Sequence, residues 1–162
     1  MQEQSEEDRE DEGGNSENVT GFIRQAKLDD VAAMNHLRLQ VRENVLSDPS
    51  RVTTAMTTDA ISVSGRGWVF EEDGHILGFS IALHEDPSIW ALFVHPDHEG
   101  RGIGHALHEL AVNWLWSRGA DRIWLGTDPG TRAERFYRER GWREAGKHNN
   151  GDIRFELDRH PV

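Results

Sequence analysis

The chain has 162 residues, no cysteine and a formal net charge of −11. That length suits one domain with a core of its own, and the lack of cysteine excludes disulfides, thiolate metal sites and a cysteine nucleophile. No apolar run approaches the roughly 18 residues that a membrane-spanning helix needs, and the acidic opening lacks the basic start and apolar stretch of a signal peptide, so a cytoplasmic protein is expected.

Residues 1–18 hold eight acids and one arginine, −7 of the −11, and no apolar residue after Met1. Such a segment buries too little surface to offset its ordering entropy and reads as a disordered acidic tail, with residues 19–162 as the folded domain. The −4 left to that domain is no basis for a grip on nucleic-acid phosphates and suits a cationic partner such as an amine.

Val19 to Ala26 reads as a first strand. Asp29 and Asp30 are placed to cap a helix whose apolar positions Val31, Met34, Leu37, Val41 and Val45 recur at helical spacing. Asp48-Pro49-Ser50 breaks it, and a second short helix is expected from Arg51 to about Ile61. Trp68-Val69-Phe70 and the run from Ile76 to Leu83 flank Asp73-Gly74, a strong hairpin turn. After Pro87 comes the strand from Ile89 to Val94. A helix follows with Ile103, Leu107, Leu110, Ala111, Trp114 and Leu115 on one face, stopped at Gly119. Ile123-Trp124-Leu125 is a buried-type strand, Thr131 to Arg140 a short helix, and Asp152 to Leu157 alternates as a last strand. Hairpins in the middle and one strand–helix–strand crossover near residues 88–127 predict a mixed α/β (α+β) sheet with antiparallel and parallel pairs.

The stretch from Leu92 to Gly104 carries the most information. A buried strand enters a turn with glycines at 100, 102 and 104, and an amphipathic helix begins at once. Unpaired N–H groups and the positive end of a helix dipole then converge, with glycines that let a phosphate approach the backbone. Arg101 is placed to add a charged donor. The phosphate loop of nucleoside triphosphatases is excluded, because no Lys-Ser or Lys-Thr follows. A dinucleotide fingerprint fails too, since counting from Gly102 its third glycine falls at Leu107.

The turn resembles the pyrophosphate loop of the GNAT superfamily of N-acyltransferases: Gln or Arg, two residues, Gly, one residue, Gly or Ala. Glu99 stands in the Gln/Arg place, with Gly102 and Gly104 in the glycine places. An acid beside a pyrophosphate is unfavourable, so the Glu99 side chain is expected to point outward. Downstream, Leu125-Gly126-Thr127-Asp128-Pro129-Gly130-Thr131-Arg132-Ala133 and Phe136-Tyr137 before Gly141-Trp142 resemble the second GNAT motif.

The resemblance implies a GNAT-like, mostly antiparallel sheet flanked by helices, and transfer of an acetyl group from acetyl-CoA to a primary amine. It implies cofactor contacts from Leu92, Phe93, Val94, Glu99, Gly100, Arg101, Gly102, Ile103, Gly104, His105, Thr127, Ala133, Phe136 and Tyr137. Catalysis would fall to the Val94 N–H facing the thioester carbonyl and to Tyr137, the only tyrosine among thirteen aromatics, protonating the thiolate.

Where family members often carry a Glu on the fourth strand, this chain has Trp90. Glu43, His84, Glu85, Asp86 or an ordered water remain as the general base. Trp90 also keeps open a CoA-binding domain without turnover, and Glu99 an interaction protein that retains only the fold. The histidines at 95, 98, 105 and 108 have no acidic ligand at a recognised spacing, and no metal is expected. No membrane contact is expected, and a homodimer is the prior for such a domain.

Overall fold

Hydrophobic alternation and turn chemistry resolve into a seven-stranded sheet and four α-helices in the computed structural model, which describes residues 21–41 and 52–160. In chain order these are β1 (Gly21–Gln25), α1 (Val31–Val41), α2 (Thr54–Ser62), β2 (Gly65–Glu72), β3 (His75–Leu83) and β4 (Ser88–Val94). Then come α3 (Ile103–Ser117), β5 (Arg122–Thr127), α4 (Arg132–Glu139), β6 (Arg143–Lys147) and β7 (Ile153–Asp158). The acidic stretch 1–18, Glu43, Val45 and Asp48-Pro49-Ser50 lie outside the described residues.

The sheet runs β1-β2-β3-β4-β5-β7-β6, and every neighbouring pair is antiparallel except β4 with β5. Asp73 and Gly74 form the expected two-residue turn, both at positive φ (52° and 79°), so the chain reverses between Glu72 and His75. Asp29 and Asp30 belong to a short 3₁₀ turn, Leu28–Asp30, that leads directly into α1, and Asp30 caps that turn rather than α1 itself. The Asp30 carboxylate accepts the Lys27 N–H at 2.7 Å and binds Arg24 at 2.8 Å. That guanidinium holds the Asp30 carboxyl below the usual carboxylate range. α2 begins three residues later than its pattern suggests, because Thr53 caps it by accepting the Met56 N–H.

Helices cover both faces. Leu107, Ala111 and Leu115 of α3 pack with Ile89, Ile123, Leu125 and Phe155 on one side of the sheet. On the other, Met34 and Leu37 of α1 and Ile61 of α2 pack on Val69, Phe79, Ile81 and Ala91. No helix among the described residues is long and apolar enough to cross a membrane.

Two irregularities in β4 open the sheet. Ile81 pairs with Ala91 and Ala82 with Ile89, so Trp90 is the extra residue of a β-bulge. Beyond it, β4 leaves β5: their parallel pairing is confined to Ser88 with Trp124, supported by Trp124 N–H donating to the Pro87 carbonyl at 3.2 Å.

Candidate active site

A strand that diverges from its neighbour carries backbone groups with nothing opposite. The His95 N–H donates to Leu77 of β3 at 2.8 Å. Successive N–H groups along a strand alternate sides, so those of Leu92 and Val94 point away from β3, toward β5. Here the strands open into a cleft of about 1180 Å³.

At its mouth the chain turns through Gly100 (φ +82°) and Gly102 (φ +85°) into α3. Gly102 is the N-cap and supplies no side chain, and the first turn holds no acid. The first helical bond runs from the Ala106 N–H to the Gly102 carbonyl, leaving the N–H groups ahead of it without intrahelical partners. A Cβ built on Gly100 or Gly102 meets no atom within 4 Å. Gly104 has a different setting. A Cβ there would lie 3.5 Å from Val94 and 3.6 Å from Phe136, ordinary contact distances, so this position sits where α3 packs on β4 and α4 and has room for an alanine.

Of the residues the sequence singled out, Leu92, Phe93, Val94, Glu99, Gly100, Gly102, Ile103, Gly104, His105, Thr127, Ala133, Phe136 and Tyr137 all line this cleft. Arg101 does not. Its guanidinium takes both Glu72 oxygens at 3.1 and 2.9 Å, a partner on β2 that local sequence cannot reveal. Glu99 departs from expectation in the other direction: it faces the cleft instead of pointing outward, and its carboxylate lies 3.3 Å from Arg132 of α4.

Tyr137 is only 6% exposed, its ring wedged against Phe136, Trp142, Phe155 and His108 with centroids 5.3 to 6.3 Å away. Its hydroxyl makes no hydrogen bond to another described residue. Burial pushes the phenol pKa up, so the hydroxyl keeps its proton at neutral pH and meets the cleft as a donor. Thr131 fixes the helix that carries it, accepting the Glu134 N–H at 3.3 Å. Behind Tyr137, His108 accepts the Trp142 indole N–H at Nε2 (3.0 Å) and so donates from Nδ1 to Glu109 at 2.8 Å. Burial lowers the His108 pKa and keeps this imidazole neutral.

The proposed bases fare worse. His84, Glu85 and Asp86 precede β4, so they sit at its far end, roughly 20 Å of strand from Val94 at the usual rise per residue. There Asp86 accepts the Trp124 indole N–H at 3.0 Å, and His84 packs on Trp114. Glu43 lies outside the described residues.

The cleft also contains residues that sequence reasoning passed over: Arg38, Asp128, Arg132, Arg135, Arg140 and Asp152. Arg38 left a signal, a charge on the apolar stripe one turn from Met34 and Val41. Its guanidinium lies within 5.1 Å of the Trp90 and Phe93 ring centres. The α4 arginines left none, because a charged short helix reads first as solvated surface.

Residues 31–142 match the model of the acetyltransferase (GNAT) family. The chain belongs to that family. Among GNAT relatives, the peptidyl-lysine N-acetyltransferase YiaC of Escherichia coli K12 is 42% identical over 52 residues, 32% of this chain and 35% of that protein. The chain thus spans little more than a third of the length of the curated relatives it matches.

Solved structures share the fold, among them two with coenzyme A or acetyl-CoA bound. The PaiA N-acetyltransferase of Thermoplasma acidophilum, in complex with coenzyme A, superposes with a TM-score of 0.75 at 12% identity, covering 86% of this chain and 99% of that one. YncA of Salmonella typhimurium with acetyl-CoA gives 0.69 at 18%, covering 89% and 96%. The mixed sheet expected from the GNAT resemblance is therefore the fold of this chain, with one parallel junction at β4 and β5.

Proposed function

We propose that this GNAT-family chain transfers an acetyl group from acetyl-CoA to a primary amine, with both substrates held in the β4–β5 cleft. The supporting observation is the junction itself: an opened strand pair whose mouth is a capless helix start behind two positive-φ glycines. The residues present fit the cosubstrate. Backbone N–H groups of the turn from Gly100 to His105 suit the pyrophosphate, and the open edge of β4 at Leu92 and Val94 suits the amides of the pantetheine arm.

Acetyl-CoA supplies an activated acyl thioester; the chain supplies position and polarity. The Val94 N–H, aimed into the cleft, stabilises negative charge on the thioester oxygen. The Tyr137 hydroxyl donates its proton to the departing sulfur. Because burial raises its pKa, this transfer is harder than for an exposed phenol, and the hydroxyl acts first as a hydrogen-bond donor to the forming thiolate. With His84, Glu85 and Asp86 at the far end of β4, deprotonation of the acceptor is left to Glu43, to a carboxylate of the cleft wall such as Asp128 or Asp152, or to water. For the acceptor we favour an amine on a flexible arm, such as a lysine side chain, in keeping with the likeness to the peptidyl-lysine enzyme.

One observation favours a second reading, CoA binding without turnover: the bulge residue on the active strand is Trp90, not an acid. Calorimetric titration with acetyl-CoA and with CoA, followed by thiol release in the presence of lysine peptides and small amines, decides between them. Binding with thiol release supports transfer. Binding without release from any amine supports the second reading, and no binding by the folded protein removes both.

A further inference from the structure

The turn into α3 presents N–H groups suited to phosphate, yet its own charged side chains work against an anion. Arg101 is committed to Glu72 at the end of β2 and does not line the cleft. Glu99 does line it, and places a carboxylate beside the anion-binding backbone.

The compensation comes from the opposite wall. Arg132, the first residue of α4, reaches across so that its Nη1 lies 3.3 Å from the Glu99 Oε1. The side chains are 58% and 34% exposed, so the pair stands in solvent and adds little to folding stability. A guanidinium held there is already at the glycine turn, and its planar donor fork matches a phosphate as well as a carboxylate.

We propose that Arg132, of the arginines that line the cleft, is a phosphate-binding cation at the glycine turn, and that Glu99 is its resident counter-ion, holding the guanidinium at the turn and releasing it to a phosphate of CoA. This rests on the acetyl-CoA reading of the cleft. The exchange swaps one anion for another on the same guanidinium and needs no proton transfer. It gives the two residues opposite signs. Arg132 adds affinity, whereas Glu99 subtracts it, because it competes for the guanidinium and repels the incoming charge. The acid in the place where the family carries Gln or Arg then sets how tightly the cosubstrate is held.

The test is calorimetric titration of the full chain with CoA and with 3′-dephospho-CoA, for wild type, Arg132→Gln, Glu99→Gln and the double variant, with melting curves to show that each folds. Arg132→Gln should weaken CoA binding about tenfold or more, the scale of a hydrogen bond to a charged group. Glu99→Gln should tighten it about threefold, as removal of an exposed like charge allows, and this gain should shrink in the double variant. Equal losses for both ligands in Arg132→Gln place the contact on the pyrophosphate, and a loss confined to CoA places it on the 3′-phosphate; either supports the proposal. Arg132→Gln within twofold of wild type for both ligands, or weaker binding by Glu99→Gln, overturns it while leaving the cofactor reading intact. Wild type that fails to bind CoA overturns both.

Discussion

Gly102→Ala separates the fold from the site. Gly102 has φ +85°, and an added Cβ meets nothing within 4 Å, so the substitution costs backbone strain and no clash. A non-glycine residue in that region costs about 1–2 kcal/mol, which for a chain of this size lowers Tm by about 2–8 °C. The methyl group would stand in the space where the turn offers its N–H groups, and loss of one charge-assisted contact there should weaken CoA binding roughly ten- to a hundredfold. Gly119→Ala is the matched control. Gly119 also has positive φ (+98°) and open space, but at the opposite end of α3. Thermal melting and titration of both variants should show similar falls in Tm, with affinity lost only at 102. Equal CoA affinity in the two would refute the placement of the phosphates at this turn.

Tyr137→Phe removes a hydroxyl that bonds to no described residue, so Tm should hardly change; turnover should fall at least about tenfold with CoA affinity within twofold, and a large affinity loss would mark the residue as packing. His108 gives the fold a pH dependence. Its folded pKa lies below the ordinary 6.5, so the unfolded chain takes the proton first, and stability present above about pH 6.5 is lost as pH falls through the folded value. Urea unfolding between pH 8 and 5 should show that decline, reduced in His108→Gln, where the amide oxygen still accepts from Trp142. Thr131→Ala removes the cap of α4 and should cost about 1 kcal/mol in the same assay, with turnover falling further than cofactor affinity because Tyr137 rides on that helix.

Elements that signal locally were legible in the sequence. The Asp73-Gly74 hairpin, the apolar face of α3 and the glycine turn each rest on residues a few positions apart, and each lies where its pattern puts it except Leu110, which stands exposed while Val112 and His108 of α3 are buried. β6 was missed because an edge strand reading Arg-Glu-Ala-Gly-Lys is exposed at every position and has no alternation to show. The site was legible in its backbone and less so in its charges. Which carboxylate claims Arg101, and whether Glu99 faces in or out, depends on Glu72 and Arg132, 29 and 33 positions from their respective partners. His84, Glu85 and Asp86 are near Val94 in number, but β4 carries them to its other end.

The divergence of β4 from β5 also bears on how the protein behaves as a material. A sheet is mechanically whole when each strand is laced to two others, and here the lacing between the β1–β4 and β5–β7–β6 halves is a single register pair. An extended arm carrying its own amides, laid along Leu92 and Val94, does what an inserted strand does: it matches β4 with backbone-like hydrogen bonds. If the proposed cosubstrate binds there, the two halves are bridged through the guest, and its occupancy should register as resistance to unfolding that grows with the logarithm of its concentration. The molecule is in that sense a sheet one strand short, and on the acetyl-CoA reading the arm that completes it is the arm that carries the acetyl group.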